Sequence, residues 1–319
     1  MSDATLAAHR ARIERRIASW VAGLPDDGLH APMAYLLGLP AKRVRPAAVL
    51  LAAELFGHDP DAVLDEALAI ELFHNFTLMH DDIMDRAPLR RGMPTVHTRW
   101  NVNTAILSGD ALLVKAYQLM ARRPDVSAVF SAHALGVCQG QQLDMDLEGR
   151  DDAGVAAYME MIRLKTAVLL SGALRIGAIL ADAPAADVEH IAAFGEHLGL
   201  AFQLRDDLLD AFGDPDKVGK QRGGDLRAGK RTFLLIRALE HSDARGRTEL
   251  REELRRSTEA RDVDRMLRVL GELGVEAEAV AEVERHHALA LTALEAIAVP
   301  AARKAPLRRL AHDLLGRTR

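Results

Sequence analysis

Two copies of one short pattern set the strongest limit on how this chain can fold. Asp81-Asp82-Ile83-Met84-Asp85 closes one apolar segment of helical period, and Asp206-Asp207-Leu208-Leu209-Asp210 closes another. An α-helix turns about 100° per residue, so with Asp81 at zero Asp85 falls at about 40° and Asp82 at about 100°. Asp206, Asp207 and Asp210 repeat that geometry. Three anions on one side of a helix repel one another, the more so inside an apolar segment. The fold must bring something cationic to each cluster.

The rest of the chain agrees with helices. Segments of helical period span Asp61–Asp85, Val126–Glu148, Ala153–Leu180 and Asp187–Phe212, with prolines between them. Aromatics are 4% of the 319 residues while 49% are hydrophobic, with Ala and Leu dominant, which favours helix and allows a large core. Alternating strand patterns and Asn-Gly or Asp-Gly hairpin turns are not convincing anywhere. No linker rich in Gly, Ser or Pro interrupts the chain. The expectation is an all-α fold, one helical domain over residues 1–319.

Charge and composition narrow the function. Forty-six acidic against 41 basic side chains give a net charge of −5, which argues against nucleic acid as a partner. No apolar run approaches the roughly 18 residues of a membrane span. The first twenty residues lack an apolar signal core. Cys138 is the single cysteine, so an intramolecular disulfide and a cysteine metal site are both excluded. A soluble cytoplasmic protein is expected.

Oxygen ligands without sulfur favour a hard cation, and Mg²⁺ takes one or two carboxylates together with waters and substrate phosphates. The metal candidates are Asp81, Asp82, Asp85, Asp206, Asp207 and Asp210. The competing reading is a pair of solvated acidic helix ends. Basic residues near the clusters weigh against it. Arg90 and Arg91 follow the first cluster in a Pro-bounded loop, and Lys42-Arg43-Val44-Arg45-Pro46 makes a second basic knot. Lys165-Thr166 lies in an apolar helix, where a lone lysine is costly unless it meets an anion. Lys220 and Lys230 flank Gly223-Gly224-Asp225. His74 lies about 20° from Asp81 on the wheel and Gln203 about 60° from Asp206. Arg and Lys bind phosphates through charge-assisted hydrogen bonds. Anion, divalent metal and cation together are what a diphosphate requires.

With these motifs assembled, the chain resembles the trans-isoprenyl diphosphate synthases of the polyprenyl synthetase family over nearly its whole length. The matching stretches are Lys42–Pro46, Glu71–Asp85, Leu89–Val96, Gly109-Asp110, Gln139–Asp144, Lys165-Thr166, Phe202–Asp210 and Gly219–Thr232. The resemblance implies a single large helical bundle with a central apolar cavity and a homodimer. It implies Mg²⁺, three ions per site with diphosphate bound, ligated directly by Asp81, Asp85 and Asp206, while Asp82, Asp207 and Asp210 act through water or as support. It places Arg90, Lys165, Gln203, Lys220 and Lys230 on the allylic diphosphate and Lys42, Arg45, His74 and Arg91 on isopentenyl diphosphate, with Thr166 and Gln203 facing the allylic cation. The implied reaction adds isopentenyl diphosphate head to tail to dimethylallyl, geranyl or farnesyl diphosphate. One departure stands out: Ala41 precedes Lys42 where relatives usually carry Gly.

Chain length should be set one to two turns before the first cluster, by Phe73, Phe76 and Thr77. The pattern of Phe76 with small Thr77 resembles the geranylgeranyl (C20) type, with farnesyl (C15) next. The wheel places Thr77 about 40° from Asp81 but Phe76 about 140° away, so Phe76 must act from the side if it acts at all. Phe73 and Phe76 as ordinary core residues is the competing reading. Two rivals of other classes remain open, a class I terpene cyclase and a non-catalytic regulatory subunit of a prenyl synthase. A cyclase usually carries an Asn/Ser/Glu-type second metal motif. A regulatory subunit should have lost a carboxylate cluster or an Arg pair.

Overall fold

Helix starts in the computed structural model follow local sequence signals. Asn101, Thr232 and Asp262 each accept an N-cap hydrogen bond from the amide three residues on. Pro124 opens its helix and Pro184 directly precedes the next long one, where a missing N–H costs nothing. Pro306 is the exception, lying inside a helix that continues through it. The structure describes residues 2–148, 150, 152–213 and 222–316. Among these, all regular structure is helical apart from one hairpin. The all-α expectation holds.

The chain divides into two compact units. Met1–Ala134, Gly172–Ile191 and Ile297–Leu307 form the first; Leu135–Ser171, Ala192–Ala296 and Arg308–Arg319 form the second.

The first unit is built around α4 (Leu64–Met84), which packs against α1 (Ser2–Ala22), α2 (His30–Gly38), α3 (Val44–Leu55) and α6 (Val102–Met120). Ala67–Phe73 of α4 are all buried, as is the apolar run Ala47–Ala53 of α3, and the two helices pack together. Arg43 precedes α3 in the left-handed region at φ 52° and is buried. Its guanidinium donates to Glu14 Oε1 of α1 at 3.0 Å, Glu71 Oε1 of α4 at 2.6 Å and the Leu37 carbonyl of α2 at 2.5 Å. Arg43, the middle cation of the basic knot, is therefore a structural tie.

Between α4 and α5 (Val96–Arg99) the chain makes a short antiparallel hairpin, β1 (Leu89–Arg90) with β2 (Met93–Pro94). This corrects the expectation of no hairpin. Its two-residue turn, Arg91-Gly92, has φ 54° and 77°, the type I′ geometry that matches strand twist. Asn-Gly or Asp-Gly usually marks such a turn; here an arginine occupies the strained first position.

The second unit takes in the later part of α7 (Pro124–Leu147), α8 (Val155–Ile162), the start of α9 (Val168–Leu180), most of α10 (Ala185–Phe212), then α11 (Gly224–Ala228), α12 (Phe233–Ala244), α13 (Glu249–Leu254), α14 (Val263–Leu273) and α15 (Val275–Ala296). The last helix, α16 (Ala301–Leu315), starts in the first unit and ends in the second. Val263, Met266, Leu267, Leu270 and Leu273 put one buried stripe on α14, which packs against α12. Between α8 and α9 lies a π-helical turn, Arg163–Ala167, so the helical segment expected over Ala153–Leu180 is interrupted where Lys165 and Thr166 sit. Two glycines permit this. A Cβ at Gly140 of α7 would strike the Lys165 backbone, and one at Gly199 of α10 would strike Ala167.

Candidate active site

Each unit carries one aspartate cluster, and the two clusters share a division of labour. In the first, Asp82 is buried at 3% exposure and held bidentately by Arg90, Nε to Oδ2 at 2.8 Å and Nη2 to Oδ1 at 2.7 Å. Such a fork is the strong form of a carboxylate pair. The β1 strand delivers Arg90 to that position. Asp81 is half-buried and Asp85 exposed; Asp85 ends α4, its amide donating to the Asp81 carbonyl. The helical spacing alone puts all three carboxylates on one side, and the resemblance gives Asp82 a supporting role. Folding commits the buried Asp82 to Arg90 and keeps Asp81 and Asp85 less deeply buried.

Beside this cluster lie Arg45, Arg91 and His74. Arg45 Nη1 is 3.2 Å from His74 Nε2, so the imidazole accepts from the guanidinium. Burial first, and then Arg45, Arg91, Arg90 and Arg43, push the His74 pKa well below its usual value. A neutral His74 is the acceptor this contact needs. Burial also lowers the pKa of Arg45 and, with Arg90, that of Arg91. The Arg45 Nε is buried with no partner among the described residues. Arginines gathered this tightly with Glu71 as the nearest counter-charge form an environment that favours an anion. Lys42 is exposed at the same knot.

In the second unit a cavity of about 110 Å³ is lined by Asp144, Lys165, Thr166, Gln203, Asp207 and Lys230, among others. The Lys165 ammonium meets Asp144 Oδ2 at 2.6 Å, the anion that its apolar helix required. Thr166 Oγ1 donates to Gln203 Oε1 at 3.1 Å, and Gln203 Nε2 donates to Asp207 Oδ1 at 3.1 Å. The other Asp207 oxygen accepts from the fully buried Tyr158 hydroxyl. Loss of water, and then the charge of Asp225, raise the Asp207 pKa to about 8. Asp207 thus stands where Asp82 stands in the first cluster, buried and fixed by protein groups, while Asp206 is half-buried. Asp210 has a different task. Its Oδ2 accepts the Asp225 amide at 3.0 Å and its carbonyl accepts the Gly223 amide at 2.7 Å, which ties α11 to α10.

Tyr158 and Asp225 were not singled out by role from sequence, nor was Asp144 within Gln139–Asp144. Nothing local to a buried tyrosine reveals that its partner lies 49 residues on. Lys220 falls outside the described residues.

The three candidate chain-length residues divide as well. Phe73 is core at 1% exposure, edge-on to Phe130 with centroids 5.4 Å apart. Phe76 is half-buried against Phe73 and the His80 ring, 5.6 and 4.8 Å away. Thr77 turns its hydroxyl back onto the His74 carbonyl at 2.8 Å.

Comparisons with known proteins agree on one family. The family model described as Polyprenyl synthetase matches residues 26–270. A geranylgeranyl diphosphate synthase of Methanosarcina mazei is 42% identical over 223 residues, covering 68% of this chain and 68% of that protein. A (2E,6E)-farnesyl diphosphate synthase of Mycobacterium tuberculosis is 36% identical over 285 residues, 86% of this chain and 79% of that one. Among solved structures, a geranylgeranyl pyrophosphate synthase superposes with a TM-score of 0.93 at 40% identity, covering 98% of this chain and 99% of the other.

Proposed function

The chain belongs to the polyprenyl synthetase family, and on that premise we propose that it is a Mg²⁺-dependent prenyltransferase joining isopentenyl diphosphate head to tail to dimethylallyl, geranyl or farnesyl diphosphate. The proposed product is geranylgeranyl diphosphate (C20), with farnesyl diphosphate (C15) next. The observation that carries the reading is the shared design of the clusters: in each, one aspartate is buried and fixed by the protein while the one before it in the chain is only half-buried.

The donor set fits magnesium. Among the described residues no group of three or more acidic, His or Cys side chains forms a ready metal cage. A hard cation that completes its shell with water and phosphate oxygens needs no such cage. Asp81, Asp85 and Asp206 would hold it, with three ions per site once diphosphate is bound, and its chemistry is to neutralise charge on the departing diphosphate.

The chain's own residues do the rest. Arg90, Lys165, Gln203 and Lys230 bind the allylic diphosphate, with Lys220 as a fifth contact. Asp82 and Asp144 hold Arg90 and Lys165 in place, so those cations arrive pre-positioned. Lys42, Arg45 and Arg91 bind isopentenyl diphosphate, and neutral His74 orients Arg45. The allylic C–O bond breaks heterolytically, the bonding pair leaving with diphosphate. Thr166 and Gln203 turn oxygen dipoles towards the cation, the isopentenyl double bond attacks it, and the released diphosphate takes the proton then lost. Asp207, Tyr158 and Asp210 support these groups.

Residues 1–319 are proposed to act as one catalytic domain, in the cytoplasm and as a homodimer. No helix among the described residues is long and apolar enough to cross a membrane. For pairing, α6 offers Ile106, Leu107 and Val114 at 40, 60 and 54% exposure.

The test is incubation with isopentenyl diphosphate, Mg²⁺ and each allylic primer, followed by sizing of the products. Linear prenyl diphosphates that require isopentenyl diphosphate are expected. Cyclic hydrocarbon from a primer alone would refute the reading in favour of a terpene cyclase, and no product with any primer would favour a regulatory subunit. Phe76→Ala should lengthen the product by one or more C5 units; an unchanged length would leave Phe76 a core residue.

A further inference from the structure

Gly109-Asp110 is one of the stretches that resemble the family, yet the reaction proposed above gives it no task. It lies on α6, where that helix packs against α4 within the first unit. Gly109 is buried, and a Cβ there would lie 2.3 Å from Nε2 and 2.6 Å from Cδ2 of His80 on α4. The missing side chain is a slot for the His80 ring.

The ring is fixed in that slot. His80 Nε2 donates to the Ile106 carbonyl of α6 at 3.1 Å, and Asp110 Oδ1 lies 3.8 Å from the same nitrogen. Along α4, Phe73, Phe76 and His80 follow one another at spacings of three and four residues, which brings side chains together on a helix. Phe76 stands between the other two rings, 5.6 Å from Phe73 and 4.8 Å from His80, with an interplanar angle of 66° to the imidazole. Phe73 is locked in the core at 1% exposure. The other wall, His80, is held across the helix pair by α6.

We infer that His80 and Gly109 are positioning residues for product length. Gly109 seats the imidazole against α6, and the seated ring holds Phe76 in the pose that stops the growing chain. The inference rests on the prenyl-transfer reading and on Phe76 as the stop. Without the imidazole Phe76 loses an edge-to-face partner and gains freedom on that side. A methyl at position 109 expels the ring from its slot, with the same consequence. Neither residue needs to touch a substrate.

Sizing of products at matched conversion tests this. His80→Gln removes the ring but keeps a donor for the Ile106 carbonyl, and Gly109→Ala keeps the ring but fills its slot. Alanine is also the better helix former, so both variants should fold. Each should raise the share of products longer than the wild-type main product by about two- to tenfold, the factor that one ring contact is worth. On a Phe76→Ala background neither should lengthen the product further, because both act through that ring. Wild-type or shorter products in either single variant would overturn the inference and leave prenyl transfer standing. Further lengthening on the Phe76→Ala background would do the same. A wild-type chain that makes no linear prenyl diphosphate would remove the premise, and the inference with it.

Discussion

Single residues in this protein owe their roles to the partner that folding assigns them. Arg43 sits among Lys42 and Arg45 as one of three similar cations, yet it alone is buried on Glu71, Glu14 and a carbonyl. Glu71 is itself 2% exposed. Glu71→Gln should therefore cost about 3–5 kcal/mol, because a buried guanidinium loses its counter-charge. Urea unfolding measures this, and a loss under about 1 kcal/mol would show that Glu14 alone suffices. His286 gives a second prediction at this scale. It is 4% exposed, with Nδ1 3.1 Å from His197 Nδ1 and with Arg285 and Glu282 beside it. Burial, then the charges of Arg285 and His197, lower its pKa to about 4 from 6.5. Between those values the unfolded chain binds the proton and the folded chain does not. Stability is thus full above about pH 6.5 and falls towards pH 4, by a few kcal/mol at most. The wild-type urea midpoint should drop between pH 7 and pH 5 more than that of His286→Gln. Equal drops would assign the loss to other groups, of which His74 has the same sign.

At the scale of elements, the π-turn at Arg163–Ala167 and the β1–β2 hairpin are the two local irregularities that serve the site. Neither was legible in the sequence. The hydrophobic period over Ala153–Leu180 reads as one helix, since a single widened turn hardly disturbs a pattern of 3.6. The hairpin strands have two residues each, too short for an alternation to register. What the sequence does contain is Gly140, placed where α7 must approach the Lys165 backbone. Gly140→Ala should push that turn away and strain the Lys165–Asp144 pair. The expected result is a fall in turnover of about tenfold or more from a small displacement of a positioned group. Circular dichroism should be unchanged, and wild-type kinetics would mean that α7 can shift to absorb the methyl.

At the scale of the whole molecule, the helical fold was readable from the Ala- and Leu-rich period between prolines, while the division into two compact units was not. Contacts that define a unit join residues far apart in the chain, as when Gly172–Ile191 groups with Met1–Ala134. The proposed self-association belongs here too. With Ile106, Leu107 and Val114 exposed together on α6, light scattering should report a dimer. Leu107→Lys with Val114→Lys should shift it to monomer. A wild-type monomer at micromolar concentration, or a double variant that stays dimeric, would remove α6 from the interface.

The amino-acid sequence by itself determined that this chain is helical, that two apolar helices end in aspartates, and that cations accompany them. Those properties follow from composition, period and spacing, which act between near neighbours. Only the tertiary structure decided that Asp82 and Asp207 are the buried members of their clusters. Their burial depends on Arg90, Tyr158 and Gln203, and Tyr158 is 49 residues from Asp207. A carboxylate leaves water only where a donor is already fixed to receive it, and packing, not spacing, sets where that donor stands.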